Sequence, residues 1–347
     1  MGDAAITGPG ERELETIDEA AQAVKALLDA GDRPGAMRRA MAVADALLQT
    51  PTDALRVTLR TKVFKNFFGR GVSYQDKDFE CVDYEQYEIA PDLPLFRGPP
   101  VPPEALERGD YFCVIGAAQT LGRLALRPWP TLVSEATGLP VLNLSRGGAG
   151  PEAYLHPTLL ELANRAKFVI LQVMSGRSVG CDEYPGEVLV TREGVSTGVH
   201  RLELLRQFWR EDPNKAFHYA TKWNNSYFEL YSQMRAAIRK PTLLLWISDR
   251  TPEGWRPKVL LTHPKTGSFP HLVGNELFQR TASLFDAQFK YLTGPISEKT
   301  ISRLTGEPCP YFGDSGNKLH REQIYYPTAA NHAQLAQRLT DWLETVV

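Results

Sequence analysis

From residue 110 onward, short unbroken apolar runs alternate with stretches of helical periodicity, and few architectures accept that alternation. The runs YFCVIG (111–116), VLNLS (141–145), FVILQVM (168–174) and TLLLWI (242–247) read as strands buried on both faces, with weaker candidates at 258–263 and 287–293. Between and after them, helical spacing covers 122–137, 152–165, 200–210, 223–239, 270–285 and 328–346. Strands separated by helices imply an α/β fold, a three-layer doubly wound and mostly parallel sheet. Four of the runs lead into turns carrying Arg123, Arg146, Arg177 and Arg250. Parallel strands would put all four at the carboxyl edge, where open α/β sheets bind ligands.

Positive charge at that edge has to be local, because the 347-residue chain carries a net charge of −2. No global field draws it to nucleic acid or to an anionic membrane surface, so neither is expected as a partner. The start, MGDAAITGPGERELE, lacks the basic and apolar parts of a secretory signal, and no run nears the roughly 20 apolar residues of a membrane span. A cytoplasmic location is the simplest expectation. Cys81, Cys113, Cys181 and Cys309 are widely spaced, with no CxxC pair and no nearby histidine at zinc-finger spacing, and no histidine pair has HExxH-like spacing. No metal, cofactor or disulfide framework is expected.

Residues 13 to 49 read as two helices around a Gly-Asp-Arg-Pro-Gly turn at 31–35. An aromatic-rich stretch follows and ends in the proline-rich LFRGPPVPPE. The expected domains are 1–100, a helical hairpin plus this aromatic-rich region, and 101–347, the α/β domain. The stretch 175–240 is longer than a normal crossover and reads as a helical insertion over the sheet edge.

Four segments could carry chemistry. In GAAQTLGR (116–123), glycines allow a tight turn and a helix starting near Gly122 would offer amides to an anion, with Gln119, Thr120 and Arg123 alongside. It is not a phosphate loop of Walker type, having Arg123 where Lys is needed and Leu124 where a hydroxyl is needed. Asn143 to Pro151 (NLSRGGAGP) puts a polar strand end, Arg146, Gly147 and Gly148 on a loop whose amides can face an oxyanion. In Ser175 to Glu183 (SGRSVGCDE), Arg177 suits phosphate, sulfate or carboxylate, while Ser175 and Cys181 are candidate nucleophiles or proton carriers. The late segment Gln323 to His332 adds Tyr326 and His332, the latter a candidate base. His271 reads as a helix-start residue.

The order of these blocks resembles the SGNH/GDSL hydrolase superfamily, in layout more than in residues, over about 110–347. More narrowly, RGP at 97–99, GAAQTLGR, NLSRGGAGP, QVMSGRS, FPHLV at 269–273 and the YYP…H ending resemble a bacterial branch of SGNH-like proteins. The resemblance implies an SGNH- or flavodoxin-like sheet with a helical N-terminal extension and a helical insertion. The superfamily's Asp-Ser nucleophile turn falls on Ala117-Ala118, and its Asp-x-x-His pair on Gln323 and Tyr326. Nucleophile, base and orienting group are thus missing from their family positions. A literal Gly313-Asp314-Ser315 reads as a chance tripeptide.

The favoured expectation is an enzyme, an SGNH-like transferase or hydrolase without the usual triad. It would take a small or saccharide-linked anionic substrate held by Arg123, Arg146, Arg177 and Arg250, with Gln119, Asn143 and glycine amides as oxyanion donors. The rivals are a nucleotide-donor-dependent sulfo- or phosphoryl transferase and a catalytically inactive ligand-binding or assembly protein. Homo-oligomer formation is left open.

Overall fold

The computed structural model describes residues 11–48, 52–64, 74–181, 183–184, 201–254, 269–313 and 318–346. The strand candidate at 258–263 and Ser315 lie outside them. Two compact units divide the chain: Met1–Tyr84 with Ser297–Ile324, and Glu85–Ile296 with Tyr325–Val347.

In the first unit, helices α1 (Glu11–Asp29) and α2 (Arg33–Leu47) form the expected hairpin. Gly31 takes a left-handed φ of 79° at the break, and the Asp32 carboxylate accepts from the Gly35 amide at 2.9 Å to start α2. Ile17, Ala20 and Val24 are buried in one cluster with Ala36, Ala40 and Ala44, the small residues letting the two helices approach closely. Helix α3 (Asp53–Leu59), capped by Thr52, runs into a π turn at Arg60–Phe64, and a short α4 follows (Gln75–Asp78). Arg56 grips the buried Glu80 with two bonds, Nε to Oε2 at 2.7 Å and Nη2 to Oε1 at 3.0 Å. Tyr311–Phe312 and Leu319–His320 pair as an antiparallel ribbon in the same unit.

The second unit is α/β. After α5 (Pro103–Arg108) the chain alternates β1 (Phe112–Ile115), α6 (Ala118–Leu121), α7 (Trp129–Thr137), β2 (Val141–Asn143), α8 (Pro157–Arg165) and β3 (Val169–Gln172). Helices α9 (Arg201–Glu211) and α10 (Pro213–Ala237) fill the insertion. Then come β4 (Thr242–Ser248), α11 (Asn275–Ala282), β5 (Ala287–Leu292) and α12 (Ala329–Val346). All five strands are parallel, in the order β2-β1-β3-β4-β5. Among the described residues no helix is long and apolar enough to cross a membrane.

Alternate strand residues point to opposite faces, so the continuous apolar runs serve two cores. Phe112, Val114, Ile170, Leu243, Leu245 and Ile247 pack with Trp129 and Val133 of α7 and Leu335 and Leu339 of α12. Cys113, Ile115, Val169, Leu171, Leu244 and Trp246 pack with α8, α10 and α11 through Leu159, Tyr231 and Phe278. Every residue of β4 is buried, and each Leu or Ile there contributes about 1.5–3 kcal/mol relative to exposure.

The expected helix over 122–137 is corrected to a shorter one, 129–137, preceded by an irregular turn over 122–128. The chain stops α6 at Gly122 in left-handed conformation (φ 76°), turns again at Leu124 (φ 66°), and restarts after Pro128. A Cβ on Gly122 would lie 2.2 Å from Pro128 Cβ, so the turn closes only on glycine. Arg97 then braces this irregular backbone, donating to the carbonyls of Leu121, Gly122, Ala125 and Leu126 at 2.8–3.2 Å.

Candidate functional site

The strand order reverses direction between β1 and β3, a switch point whose carboxyl-end crevice is the usual ligand position in open α/β sheets. Three turns meet there: after β1, after β2 and after β3.

The turn after β1 is closed on itself. Gln172, buried at the end of β3, accepts through Oε1 from the Ala117 amide at 2.9 Å and from the Thr120 hydroxyl at 2.7 Å. Its Nε2 reaches Gln119 Oε1 at 3.4 Å. A Cβ on Gly116 would sit 2.5 Å from Gln172 Oε1, so this glycine serves close approach. The amides of Thr120 and Leu121 go to the Ala117 carbonyl, and those of Gly122 and Arg123 to Ala118. Gly122 is the C-terminal cap of α6 and starts no helix; the unbonded amides of this turn are those of Ala118 and Gln119 at the start of α6. Arg123, 1% exposed, donates from Nη1 to the Tyr326 hydroxyl at 2.9 Å and lies over that ring at 5.0 Å from its centroid.

The turn after β2 is the opposite case. Asn143 Oδ1 accepts from the Ser145 amide at 3.0 Å and the Arg146 amide bonds to the Gly116 carbonyl, which fixes the backbone. The side chains that follow are unmatched. Ser145 Oγ is fully buried with no partner, and Arg146, 3% exposed, has neither Nε nor Nη2 bonded. Burial pulls the Arg146 pKa down to about 10, with the neighbouring Tyr154 acting the other way. That shift corresponds to roughly 3 kcal/mol of strain in holding the charge. The amides of Gly147 and Gly148 likewise make no hydrogen bond among the described residues. Four consecutive residues therefore present unclaimed donors. Gly147 and Gly148 are half-buried, but Ser145 and Arg146 are buried, and buried polar groups in native proteins are almost always matched, so these two side chains ask for an acceptor.

The turn after β3 is set by α10, whose Tyr227 and Tyr231, one helical turn apart, hold the strand end. Tyr231 Oη accepts from the Met174 amide at 2.8 Å and donates to the Gln172 carbonyl at 3.0 Å, while Tyr227 donates to the Met174 carbonyl at 2.9 Å. Ser175 follows, and its Oγ stands 2.9 Å from His271 Nδ1. His271 belongs to the turn 269–273, four residues ahead of α11, which corrects its reading as a helix-start residue. Its Nε2 faces the Tyr325 hydroxyl at 3.5 Å. Ser178 Oγ donates to the Gly148 carbonyl at 3.1 Å, so the second and third turns touch. Arg177 is half-buried, and its guanidinium forms no hydrogen bond or ion pair among the described residues.

The remaining sequence candidates have other partners. Arg250 donates to the carbonyls of Pro270 and Val273 at 2.6 and 3.0 Å, holding the turn that carries His271. Cys181 donates from Sγ to the Glu183 carboxylate at 3.2 Å, and among the described residues no arginine bonds to it. His332 accepts through Nδ1 from the Trp129 amide at 3.1 Å, fixing the start of α7. Burial, with Arg97 nearby, lowers its pKa to about 3. Gln172, Ser145 and His271 were not among the site residues expected from sequence. Gln172 offered the same cue as Asn143, a polar residue closing an apolar strand.

A family model described as a domain of unknown function (DUF6473) matches residues 72–184, which include all three turns but not His271, Arg250 or Tyr325. No curated protein matches the chain. A solved carbohydrate esterase family 2 enzyme with a carbohydrate-binding domain, from Corynascus thermopiles (Myceliophthora fergusii), is similar at 13% identity, covering 72% of this chain and 68% of that one, with a TM-score of 0.35.

Proposed function

We propose that the chain is an enzyme of transferase or hydrolase type that takes hold of a small or saccharide-linked substrate through a carboxylate, sulfate or phosphate at the turn after β2. The observation that carries this reading is the buried Arg146 guanidinium, with Nε and Nη2 unbonded beside the unmatched Ser145 hydroxyl. A planar fork of N–H groups suits two oxygens of one oxyanion, and the free Gly147 and Gly148 amides suit a third. Arg177 adds charge from the adjoining turn. Arg123 and Arg250 support the edge through Tyr326 and through the 270–273 carbonyls. Nucleotide-donor transfer finds little support in the turn after β1, where the amides of Ala117 and of Thr120 to Arg123 are bonded internally and only those of Ala118 and Gln119 are not. Binding without turnover is favoured by one feature, Ala117-Ala118 with Gln172 closed over it.

The test is thermal unfolding in sulfate, phosphate or citrate at constant ionic strength. Wild-type protein should gain about 2.7 kcal/mol at a hundredfold excess over the dissociation constant. Arg146→Met should lose that gain while being no less stable than wild type without anion. Equal gains in both proteins would reject the site.

A further inference from the structure

The structure assigns a nucleophile and base to this edge: we propose that Ser175 and His271 form an acyl-transfer pair acting on esters whose acyl or alcohol part carries an anionic group. Oγ and Nδ1 are 2.9 Å apart, within the reach that nucleophile activation requires. Ser175 Oγ also accepts from the Arg177 amide at 3.3 Å, so its hydrogen is free to point at the imidazole. Nδ1 is then the accepting nitrogen and Nε2 carries the hydrogen, facing Tyr325 Oη.

Both side chains are rigidly placed. The Gly176 amide bonds to the His271 carbonyl at 2.8 Å, and a Cβ on Gly176 would meet that carbonyl and Leu272 Cβ at 3.2 Å. Arg250 fixes the same turn from its other side, and Tyr325 stacks on the imidazole with planes 18° apart. Tyr325 is a positioning residue. A phenol in place of a carboxylate gives the imidazolium little extra stabilisation, which suits esters and thioesters better than amides.

In the first half-reaction the Ser175 hydroxyl proton passes to His271 Nδ1 as Oγ bonds to the carbonyl carbon. The bond from that carbon to the leaving oxygen or sulfur breaks, and Nδ1–H returns the proton to the leaving group. In the second half, water or an acceptor alcohol gives its proton to Nδ1 and attacks the acyl carbon, and Nδ1–H returns a proton to Oγ as the bond from the acyl carbon to Oγ breaks. The restriction to anionic esters rests on the Arg146 reading, since the turn bearing Gly147 and Gly148 touches the Ser175 turn at Ser178. The pair itself does not rest on it.

The experiment is labelling of the full chain with a fluorophosphonate probe, mapped by mass spectrometry, with sulfate-induced stabilisation measured on the same samples. The expected result is one modified serine, Ser175, with the rate cut at least about a hundredfold by His271→Gln and abolished by Ser175→Ala. Ser175→Cys covers failure of the alanine variant to fold: it should be alkylated by iodoacetamide faster than Cys181, and more slowly once His271→Gln is added. Absence of labelling, labelling at another serine, or rates indifferent to His271→Gln would overturn the pair. Loss of sulfate stabilisation with labelling intact would instead remove the anion site and leave the pair standing.

Discussion

The turns after β1 and β2 leave neighbouring strands of one sheet at one edge, yet they treat their polar side chains in opposite ways. After β1, each of the amides from Ala117 to Arg123 other than those of Ala118 and Gln119 has a defined acceptor within the fold, and Gln172 closes the turn from the neighbouring strand. After β2, a hydroxyl, a guanidinium and two amides have none. Arginines make the same contrast. Arg97 and Arg146 are comparably buried, but Arg97 donates to four carbonyls while Nε and Nη2 of Arg146 are unbonded. Fully matched buried polar groups rigidify a fold, and unmatched ones weaken it unless a ligand completes them. The first turn is therefore read as structure and the second as a site.

The contrast breaks most readily at Gln172. Gln172→Leu strands the Ala117 amide and the Thr120 hydroxyl in the core, and about 3–6 kcal/mol should be lost in urea unfolding; a loss under about 1 kcal/mol would mean the turn is not closed by this residue. Arg97→Met should cost about 3 kcal/mol by the same measurement, whereas Arg146→Met should cost nothing without anion. Equal losses at the two arginines would erase the difference.

Acid sensitivity provides a smaller effect. His332 is neutral in the fold with its pKa lowered to about 3, against 6.5 when unfolded, so the unfolded chain takes up the proton first. Its contribution is complete above pH 6.5 and is lost as pH falls towards 3, amounting to about 2–3 kcal/mol by pH 4.5. His332→Asn should flatten that part of the pH–stability curve, and an unchanged slope would show that another group titrates there.

What could be read in advance follows from locality. The strands β1 to β4 were visible because residues buried on both faces leave unbroken apolar runs, and the N-terminal hairpin because its spacing breaks only at Gly31. The late start of the helix expected over 122–137 was hidden: the left-handed turns at Gly122 and Leu124 are braced by Arg97, which lies outside the segment. The four strand-end arginines looked equivalent in sequence. Only tertiary contacts separate Arg250, bonded to carbonyls, from Arg146, unbonded. His271 pairs with a serine ninety-six residues away, and no spacing rule connects two turns that the sheet brings together.

The most direct measurement is a crystal structure of the protein soaked in selenate or tungstate and read by anomalous scattering. An anomalous peak is expected within hydrogen-bond distance of Arg146 Nε and Nη2, shared with the Gly147 or Gly148 amide and lost in Arg146→Met. A guanidinium found bonded to protein carbonyls or carboxylates, with no peak at the turn after β2, would contradict it.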